Sequence, residues 1–177
     1  MDVVRVGDKL VSRGKISRTI DRILSMRASG KSQQEIASHL GIDRTFISRL
    51  ETIGEVRKGQ KVALVGFPVL NKEELREVAR TEGVDYTLLL TDDERWNFLD
   101  NKSGVELFNQ IMELLFRFKE CDTVIFIGSD LRINLAEALL GSDAVIGVCI
   151  GSSPVKGSVY VEPEYIRDLI RSVRSSD

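Results

Sequence analysis

The spacing of apolar residues changes once along this 177-residue chain, near Gln60, and that change sets the fold class. Between Ile16 and Leu50 the apolar residues recur every three or four positions, which predicts three short amphipathic helices. After Gln60 they form continuous runs rich in Val, Ile and Leu, which are typical of strands buried on both faces of a parallel sheet. The sequence therefore predicts a small helical part followed by an α/β part.

Five apolar runs after Gln60 predict five strands, and amphipathic stretches predict the helices between them. The runs cover residues 61–67, 86–90, 123–128, 144–151 and 158–162. The predicted helices cover about 71–82, 103–119, 131–140 and 164–174. Because strand and helix alternate, the sequence predicts a Rossmann-like α/β domain with a mostly parallel sheet of about five strands.

Charge divides the chain at the same place. The net charge of −2 combines +5 for residues 1–60, from 12 Lys and Arg against 7 Asp and Glu, with −7 for the remainder, from 13 against 20. Opposite signs indicate two domains with different partners, and the basic part is suited to a polyanion. We therefore assign 1–52 and 61–177 to two domains and 53–60 to a short hinge.

Composition excludes several classes of protein. No apolar run approaches the ~18 to 20 residues that span a bilayer, and the N-terminus lacks the apolar segment of a secretory signal. We therefore expect a cytoplasmic protein with no membrane partner. One histidine and two cysteines without a CxxC pair leave no basis for a zinc site or a Ser-His-Asp triad, so we expect no metal and no cofactor.

Residues 30–51, GKSQQEIASHLGIDRTFISRLE, contain the most specific local pattern. Ser32, followed three residues later by Glu35, predicts a capping box at the start of one helix. Gly41 lies where a tight turn between two helices needs a positive φ, and Asp43 can cap the next helix. The inner positions of both helices hold small or apolar residues, which are Ile36, Ala37, Leu40, Ile42, Ile47 and Leu50.

This pattern resembles the helix-turn-helix of the XRE family of transcriptional regulators, the Cro and lambda-repressor type. The resemblance covers residues 30–51 and extends at most to the preceding helix. It implies an all-α domain of three helices whose second motif helix enters the major groove of double-stranded DNA. The family's usual fourth and fifth helices are missing, because residues 52–60 lead almost directly into a predicted strand.

The resemblance also implies which side chains contact DNA. Arg44 is suited to pair with a guanine, and Arg49 is suited to contact a phosphate. A palindromic operator and a homodimer are implied too, because one three-helix unit reads only a few base pairs. The implied DNA-binding residues are Gln33, Arg44, Thr45, Ser48 and Arg49.

Candidate ligand-binding residues follow the predicted strands. Loops at the carboxyl ends of parallel strands bind ligands in α/β sheets, and here they carry Gly-Phe-Pro, an acidic segment, Gly-Ser-Asp and Gly-Ser-Ser. We expect a small-molecule effector pocket at this edge, although ordinary short turns would explain the same Gly and Ser residues. The candidate effector-binding residues are Phe67, Asp92, Trp96, Ser129, Asp130, Ser152 and Ser153.

Two segments allow further interpretations. The connection 91–104 is long for an ordinary loop, and it is either a lid that carries Trp96, a dimer contact or a short helix packed on the sheet. The helix at 103–119 has more apolar residues than one sheet-facing stripe requires, so we expect it to form a homodimer interface.

The sequence thus predicts a sequence-specific DNA-binding transcriptional regulator, not an enzyme, whose α/β domain dimerises and senses a small molecule. One alternative is a metal- or nucleotide-binding α/β enzyme with an attached autoregulatory helix-turn-helix, in which Asp92, Asp93 and Asp130 bind Mg²⁺. Neither a GxGxxG nor a P-loop motif is present to favour it. A second alternative is a protein-interaction adaptor whose three helices bind no DNA.

Overall fold

The computed structural model describes residues 2–100 and 102–174, which form two compact units that divide between Glu55 and Val56. We call them the N-terminal unit and the C-terminal unit. The described residues form eight helices and six strands, and the strands make one two-stranded antiparallel sheet and one four-stranded parallel sheet. None of the helices in this part of the chain has both the length and the hydropathy needed to span a bilayer.

The N-terminal unit begins with a β-hairpin of β1 (Val3–Val6) and β2 (Lys9–Ser12). The prediction of an all-α N-terminal domain is therefore wrong. The reason is local, because two Val-containing segments flank Gly7 and Asp8, and Gly7 adopts the positive φ of 58° that a tight hairpin turn favours.

Three helices follow the hairpin, α1 (Arg13–Ala28), α2 (Gln33–Leu40) and α3 (Arg44–Gly54). Each helix contributes one fully buried isoleucine to a common core. These three residues are Ile23, Ile36 and Ile47.

The predicted local signals between α2 and α3 are confirmed. The Glu35 N–H donates to Ser32 Oγ, and the Ser32 N–H donates to the Glu35 carboxylate, so both halves of the capping box are present. Gly41 ends α2 with a φ of 66°, and Asp43 accepts the Thr45 N–H at 2.6 Å. The turn between the two helices is therefore fixed by residues that the sequence identifies.

Residues 53–60, the predicted hinge, belong largely to the two units themselves. Helix α3 extends to Gly54. The Arg57 N–H donates to the Asp143 carbonyl at 2.7 Å, and the Gly59 N–H donates to the Val173 carbonyl at 3.2 Å. Only Glu55 and Val56 thus lie between helix α3 and the part of the chain that is bonded into the C-terminal unit.

The C-terminal unit contains a parallel sheet of four strands in the order β4-β3-β5-β6. The strands are β3 (Val62–Gly66), β4 (Tyr86–Leu89), β5 (Thr123–Gly128) and β6 (Val145–Cys149). Its helices are α4 (Lys72–Thr81), α5 (Asp92–Asp100), α6 (Gly104–Lys119), α7 (Asp130–Leu140) and α8 (Pro163–Arg174). Helices α4, α6, α7 and α8 lie close to their predicted ranges.

The prediction of about five strands is wrong by one, because residues 158–162 form only an isolated bridge between Val159 and Val69. The backbone groups of this segment bond to the chain that follows β3. The Val159 N–H donates to the Pro68 carbonyl at 3.1 Å, and the Asn71 side chain bonds both the N–H and the carbonyl of Val161. The backbone groups of Val161 thus bond to a side chain and not to a neighbouring strand.

The connection 91–104 contains the short helix α5, one of its three predicted interpretations. Thr91 and Glu94 start this helix as a reciprocal pair. The Glu94 N–H donates to Thr91 Oγ1 at 3.3 Å, and the Thr91 N–H donates to Glu94 Oε2 at 3.0 Å. Trp96 lies on α5 and is half exposed.

The two faces of the parallel sheet are packed differently. On one face, α4 and α8 cover the sheet with a large core that includes fully buried Leu64, Ile125 and Ile170. On the other face, which α5, α6 and α7 cover, Leu88 and Phe126 stay only half buried. Other parts of this face are closely packed, since Ala63, Val65 and Val124 are buried there and an added Cβ on Gly147 would lie 2.4 Å from an Ile133 side-chain carbon. We call this second face underfilled because Leu88 and Phe126 are left partly uncovered.

Candidate functional site

The first candidate site is the outward face of α3, which we call the α3 patch. Arg44, Thr45, Ser48 and Arg49 form it, and all four are exposed; Thr45 and Arg49 lie on the side of the helix opposite buried Ile47, and Arg44 and Ser48 lie at its flank. Positions 44 and 48 lie one turn apart, as do 45 and 49, so the four side chains make one continuous surface. Two guanidinium groups and two hydroxyls there can donate hydrogen bonds to phosphates or base edges.

Gln33, the fifth predicted DNA-binding residue, is not part of the α3 patch. Its side chain is half buried, and its Nε2 donates to Glu51 Oε2 at 2.8 Å. The other oxygen of Glu51 lies 2.5 Å from Arg27 Nε. Arg27, Gln33 and Glu51 thus link α1, α2 and α3, a structural role that sequence reasoning did not anticipate.

We expect the N-terminal unit to become less stable at low pH, because Glu51 becomes protonated there. The hydrogen bonds from Arg27 and then from Gln33 lower the pKa of Glu51 below its ordinary 4.5. A carboxylate with a lowered pKa in the folded state stabilises that state above its unfolded pKa, and this contribution is lost as the pH falls through the folded pKa. Amide hydrogen exchange of α1, α2 and α3 should therefore accelerate as the pH falls from about 4.5, after correction for intrinsic exchange rates.

The Glu51→Gln variant should be less stable than the wild type at neutral pH. Its stability should also change less than that of the wild type as the pH falls. Glu55→Gln, which removes a charge from the exposed residue after α3, is the matched control and should keep the wild-type pH profile. An unchanged pH profile in Glu51→Gln would show that this ion pair does not contribute to stability.

The second candidate site lies at the carboxyl edge of the parallel sheet. The chain runs from β3 to β4 on one side and then to β5 on the other side of β3, which creates a topological switch point between β3 and β5. A small pocket of about 40 Å³ lies here, among segments that follow all four strands. We call it the edge pocket, and its lining includes Phe67, Arg95, Ser129, Arg132 and Ser153.

The polar groups of the edge pocket have unused hydrogen-bonding capacity. Ser129 is 2% exposed, and its Oγ has no hydrogen-bond partner among the described residues. Arg95 has a side chain that is 14% exposed, and its Nη2 lies 2.6 Å from Asp92 Oδ1. The Nε of Arg95 has no acceptor in the described part of the chain.

Arg132 is the second cation of this pocket. Its guanidinium carbon lies 4.9 Å from the centroid of the Phe67 ring, and no ion pair with it occurs in residues 2–100 and 102–174. Burial, and then the neighbouring Arg95, lower the pKa of the Arg132 guanidinium, while Asp92 opposes this shift. A partly buried cation without a counterion favours the binding of an anion.

A larger cavity of about 390 Å³ adjoins the edge pocket and shares Phe67, Arg95 and Arg132 with it. We call it the apolar cavity. It lies on the underfilled face of the sheet, under α5, α6 and α7, and apart from the two arginines its lining is apolar. Its size falls within the range of about 300 to 1,000 Å³ that is usual for small-molecule sites.

The predicted effector-binding residues are only partly brought together. Phe67, Ser129 and Ser153 line the edge pocket. Neither cavity is lined by the other four, of which Trp96 and Ser152 are exposed and Asp92 pairs with Arg95. Asp130 is exposed, and its Oδ1 accepts the N–H groups of Leu131 and Ser153 at 2.7 and 2.8 Å.

Sequence reasoning missed the two cations of this site, Arg95 and Arg132. A signal existed, because each arginine lies within about six residues of the carboxyl end of a strand, Arg95 after β4 and Arg132 after β5. Ligands bind at such ends, so a basic residue close behind each strand was a candidate.

The described residues contain no group of three or more His, Cys, Asp or Glu side chains that could hold a metal ion. Asp92, Asp93 and Asp130, which the enzyme alternative brings together on Mg²⁺, therefore form no such group. Asp92 lies in an ion pair with Arg95, and Asp130 accepts the backbone N–H groups of Leu131 and Ser153.

No family model, no curated protein and no solved structure matches this chain. The resemblance of residues 30–51 to XRE regulators stays a prediction from those residues.

Proposed function

We propose that this protein is a sequence-specific DNA-binding transcriptional regulator that acts as a homodimer. The observation that carries the proposal is the α3 patch, an exposed surface of two arginines and two hydroxyl residues on a helix whose opposite side is buried. Helix α2, the Gly41 turn and the Asp43 cap hold that helix in place.

The dimensions and charge of the patch suit duplex DNA. An α-helix with its side chains is about 10 to 12 Å across, and the major groove is about 12 Å wide. Arg44 is in the first turn of α3, where side chains of a helix that enters the groove reach base edges. Residues 1–55, the N-terminal unit, hold 10 Lys and Arg against 7 Asp and Glu, and this net charge of +3 favours approach to phosphates.

Dimerisation is part of the proposal because one such helix reads too few base pairs for useful specificity. Two copies would read two half-sites about 34 Å apart, or a multiple of that distance. The C-terminal unit offers an apolar surface for this contact on the outer side of α6, which we call the α6 stripe. It consists of Val105, Phe108, Met112 and Phe116, which are all at least half exposed.

The test is selection of duplexes from a random-sequence pool by the full chain, followed by titration of the enriched duplex. Arg44→Ala should weaken binding by about 5- to 150-fold and relax the preference at one base pair, because a bidentate base contact is worth about 1 to 3 kcal/mol. Arg49→Ala should weaken binding to all sequences and reduce the slope of log K against log salt by about 1.

Arg80→Ala is the matched control, since it removes an exposed arginine from α4 in the C-terminal unit. It should leave binding unchanged. If no duplex is enriched, or if both α3 variants bind like the wild type, the DNA proposal is wrong and the adaptor alternative gains support.

A further inference from the structure

We propose that the edge pocket and the apolar cavity together bind one ligand, an amphiphilic monocarboxylate with an apolar chain. The carboxylate would lie in the edge pocket against Arg95, Ser129 and Arg132, and the chain would fill the apolar cavity. Binding depends on the C-terminal unit alone, whereas a role of this ligand as an effector rests on the proposed function.

The donors of the edge pocket match a carboxylate. Ser129 Oγ is buried without a partner, and Arg95 Nε has no acceptor among the described residues. Arg132 presents a fork of N–H donors without an ion pair in the described chain. A carboxylate accepts several such bonds at once, and charge-assisted hydrogen bonds are about twice as strong as neutral ones.

Charge and size limit the head group. Two arginines and the carboxylate of Asp92, which is paired with Arg95, leave one positive charge for the ligand. Asp130, the other nearby carboxylate, does not line the pocket. The volume of about 40 Å³ holds roughly three water-sized positions, which suits one compact anionic group and not a nucleotide.

The apolar cavity extends along the strands from this head group. Phe67 and Arg132 mark its end at the carboxyl edge of the sheet. Of the sheet residues on this face, Val65, Leu88 and Phe126 line the cavity and Ala63, Tyr86 and Val124 do not. The cavity therefore covers the carboxyl half of this face, which leaves room for an apolar chain next to the head group.

The apolar cavity opens to solvent, because Ile111, Leu135 and Leu139 in its lining are 42%, 52% and 49% exposed. It therefore leaves a concave apolar surface in contact with water, which is typical of a binding site. The other face of the same sheet is filled by α4 and α8 with fully buried side chains. The underfilled face therefore has room for an apolar group that the chain does not supply, and water would gain few hydrogen bonds there.

The experiment is isothermal titration calorimetry of the full chain with straight-chain carboxylates from hexanoate to dodecanoate, without DNA. Affinity should rise about four-fold for each added methylene until the cavity is filled. Arg132→Gln should weaken decanoate binding by about 10- to 100-fold. Ser129→Ala should weaken it less, and 1-decanol, which lacks the charge, should bind at least about ten-fold more weakly than decanoate.

Arg80→Gln, on the opposite face of the sheet, is the matched control and should bind like the wild type. Ala136→Leu, which adds bulk inside the cavity, should reduce affinity for dodecanoate more than for hexanoate. This variant tests the proposal independently if Arg132→Gln fails to fold. Equal binding of decanol and decanoate by the wild type, or wild-type affinity in folded Arg132→Gln, would overturn the assignment of the head group.

If no carboxylate binds, and Leu139→Asp at the rim of the cavity dissociates a dimer, then a second copy of the chain covers the cavity and the proposal is wrong. The effector role has its own readout, which is the change in duplex affinity when decanoate is added to the wild type but not to Arg132→Gln. Failure of all DNA binding would leave the calorimetric result standing.

Discussion

Replacing Phe108 and Phe116 together by aspartate is expected to convert the proposed homodimer into monomers and to weaken binding to a duplex with two half-sites by about 10²- to 10⁴-fold. These two rings are 62% and 67% exposed on α6, with Met112 between them on the same side. Two carboxylates placed there would have to be desolvated in the interface, which disfavours association. Once the two copies separate, binding of a second copy to the second half-site is no longer intramolecular, and the avidity of the linked pair is lost.

Sedimentation velocity measures the dimer, and titration of duplexes with one or two half-sites measures the loss of avidity. Tyr165→Asp is the matched control, because Tyr165 is a half-exposed aromatic residue on α8, which packs on the other face of the sheet. It should remain dimeric. An aspartate double variant that stays dimeric would exclude the α6 stripe as the interface, and a monomer that binds with wild-type affinity would exclude dimerisation as the source of affinity.

The elements that sequence reasoning predicts well are those specified by neighbouring residues. Helix α6 begins at Gly104 and ends at Lys119, close to the predicted 103–119, because a capping box of Ser103 and Glu106 starts it and helical spacing continues through it. The turn at Gly41 is predicted for the same reason. Backbone conformation and capping at these places depend on side chains no more than about four residues away.

Elements that depend on distant partners are predicted less well. Residues 158–162 have the composition of a strand, but strand formation needs a neighbour, and Asn71, about ninety residues away, takes up the backbone groups of Val161. Helix α5 was ambiguous for another reason. Its start signal, Thr91 with Glu94, is local, but its apolar residues do not form one clear stripe.

The candidate ligand site also has some features that neighbouring residues specify and others that depend on distant residues. The sequence predicts its position at the carboxyl edge and identifies Phe67, Ser129 and Ser153, because the order of strands and loops is local information. The absence of an ion pair at Arg132 in the described chain is a property of the folded structure. The volume left under α5, α6 and α7 also depends on how large side chains from distant segments fit together, so composition could not reveal it.

Replacing Ile47 by alanine is expected to unfold the N-terminal unit and leave the C-terminal unit folded. Ile47 is fully buried, and with Ile23 and Ile36 it forms the centre of a small core. An Ile→Ala change in a core costs about 2 to 5 kcal/mol, whereas the core of a unit this small rarely supplies more than about 3 to 5 kcal/mol in total. The cost of one truncation thus approaches the stability of the whole unit.

Amide hydrogen exchange of the full chain reports both units at once. In Ile47→Ala, protection should be lost in α1, α2 and α3 and retained in β3 and β5, and duplex binding should disappear with it. Ile53→Ala is the matched control, because Ile53 lies on the same helix but is 83% exposed, so the same truncation should change stability by no more than about 0.5 kcal/mol. Loss of protection in both units of Ile47→Ala would instead mean that the two fold as one cooperative structure, and the α3 patch would then depend on the packing of the parallel sheet as well as on its own three isoleucines.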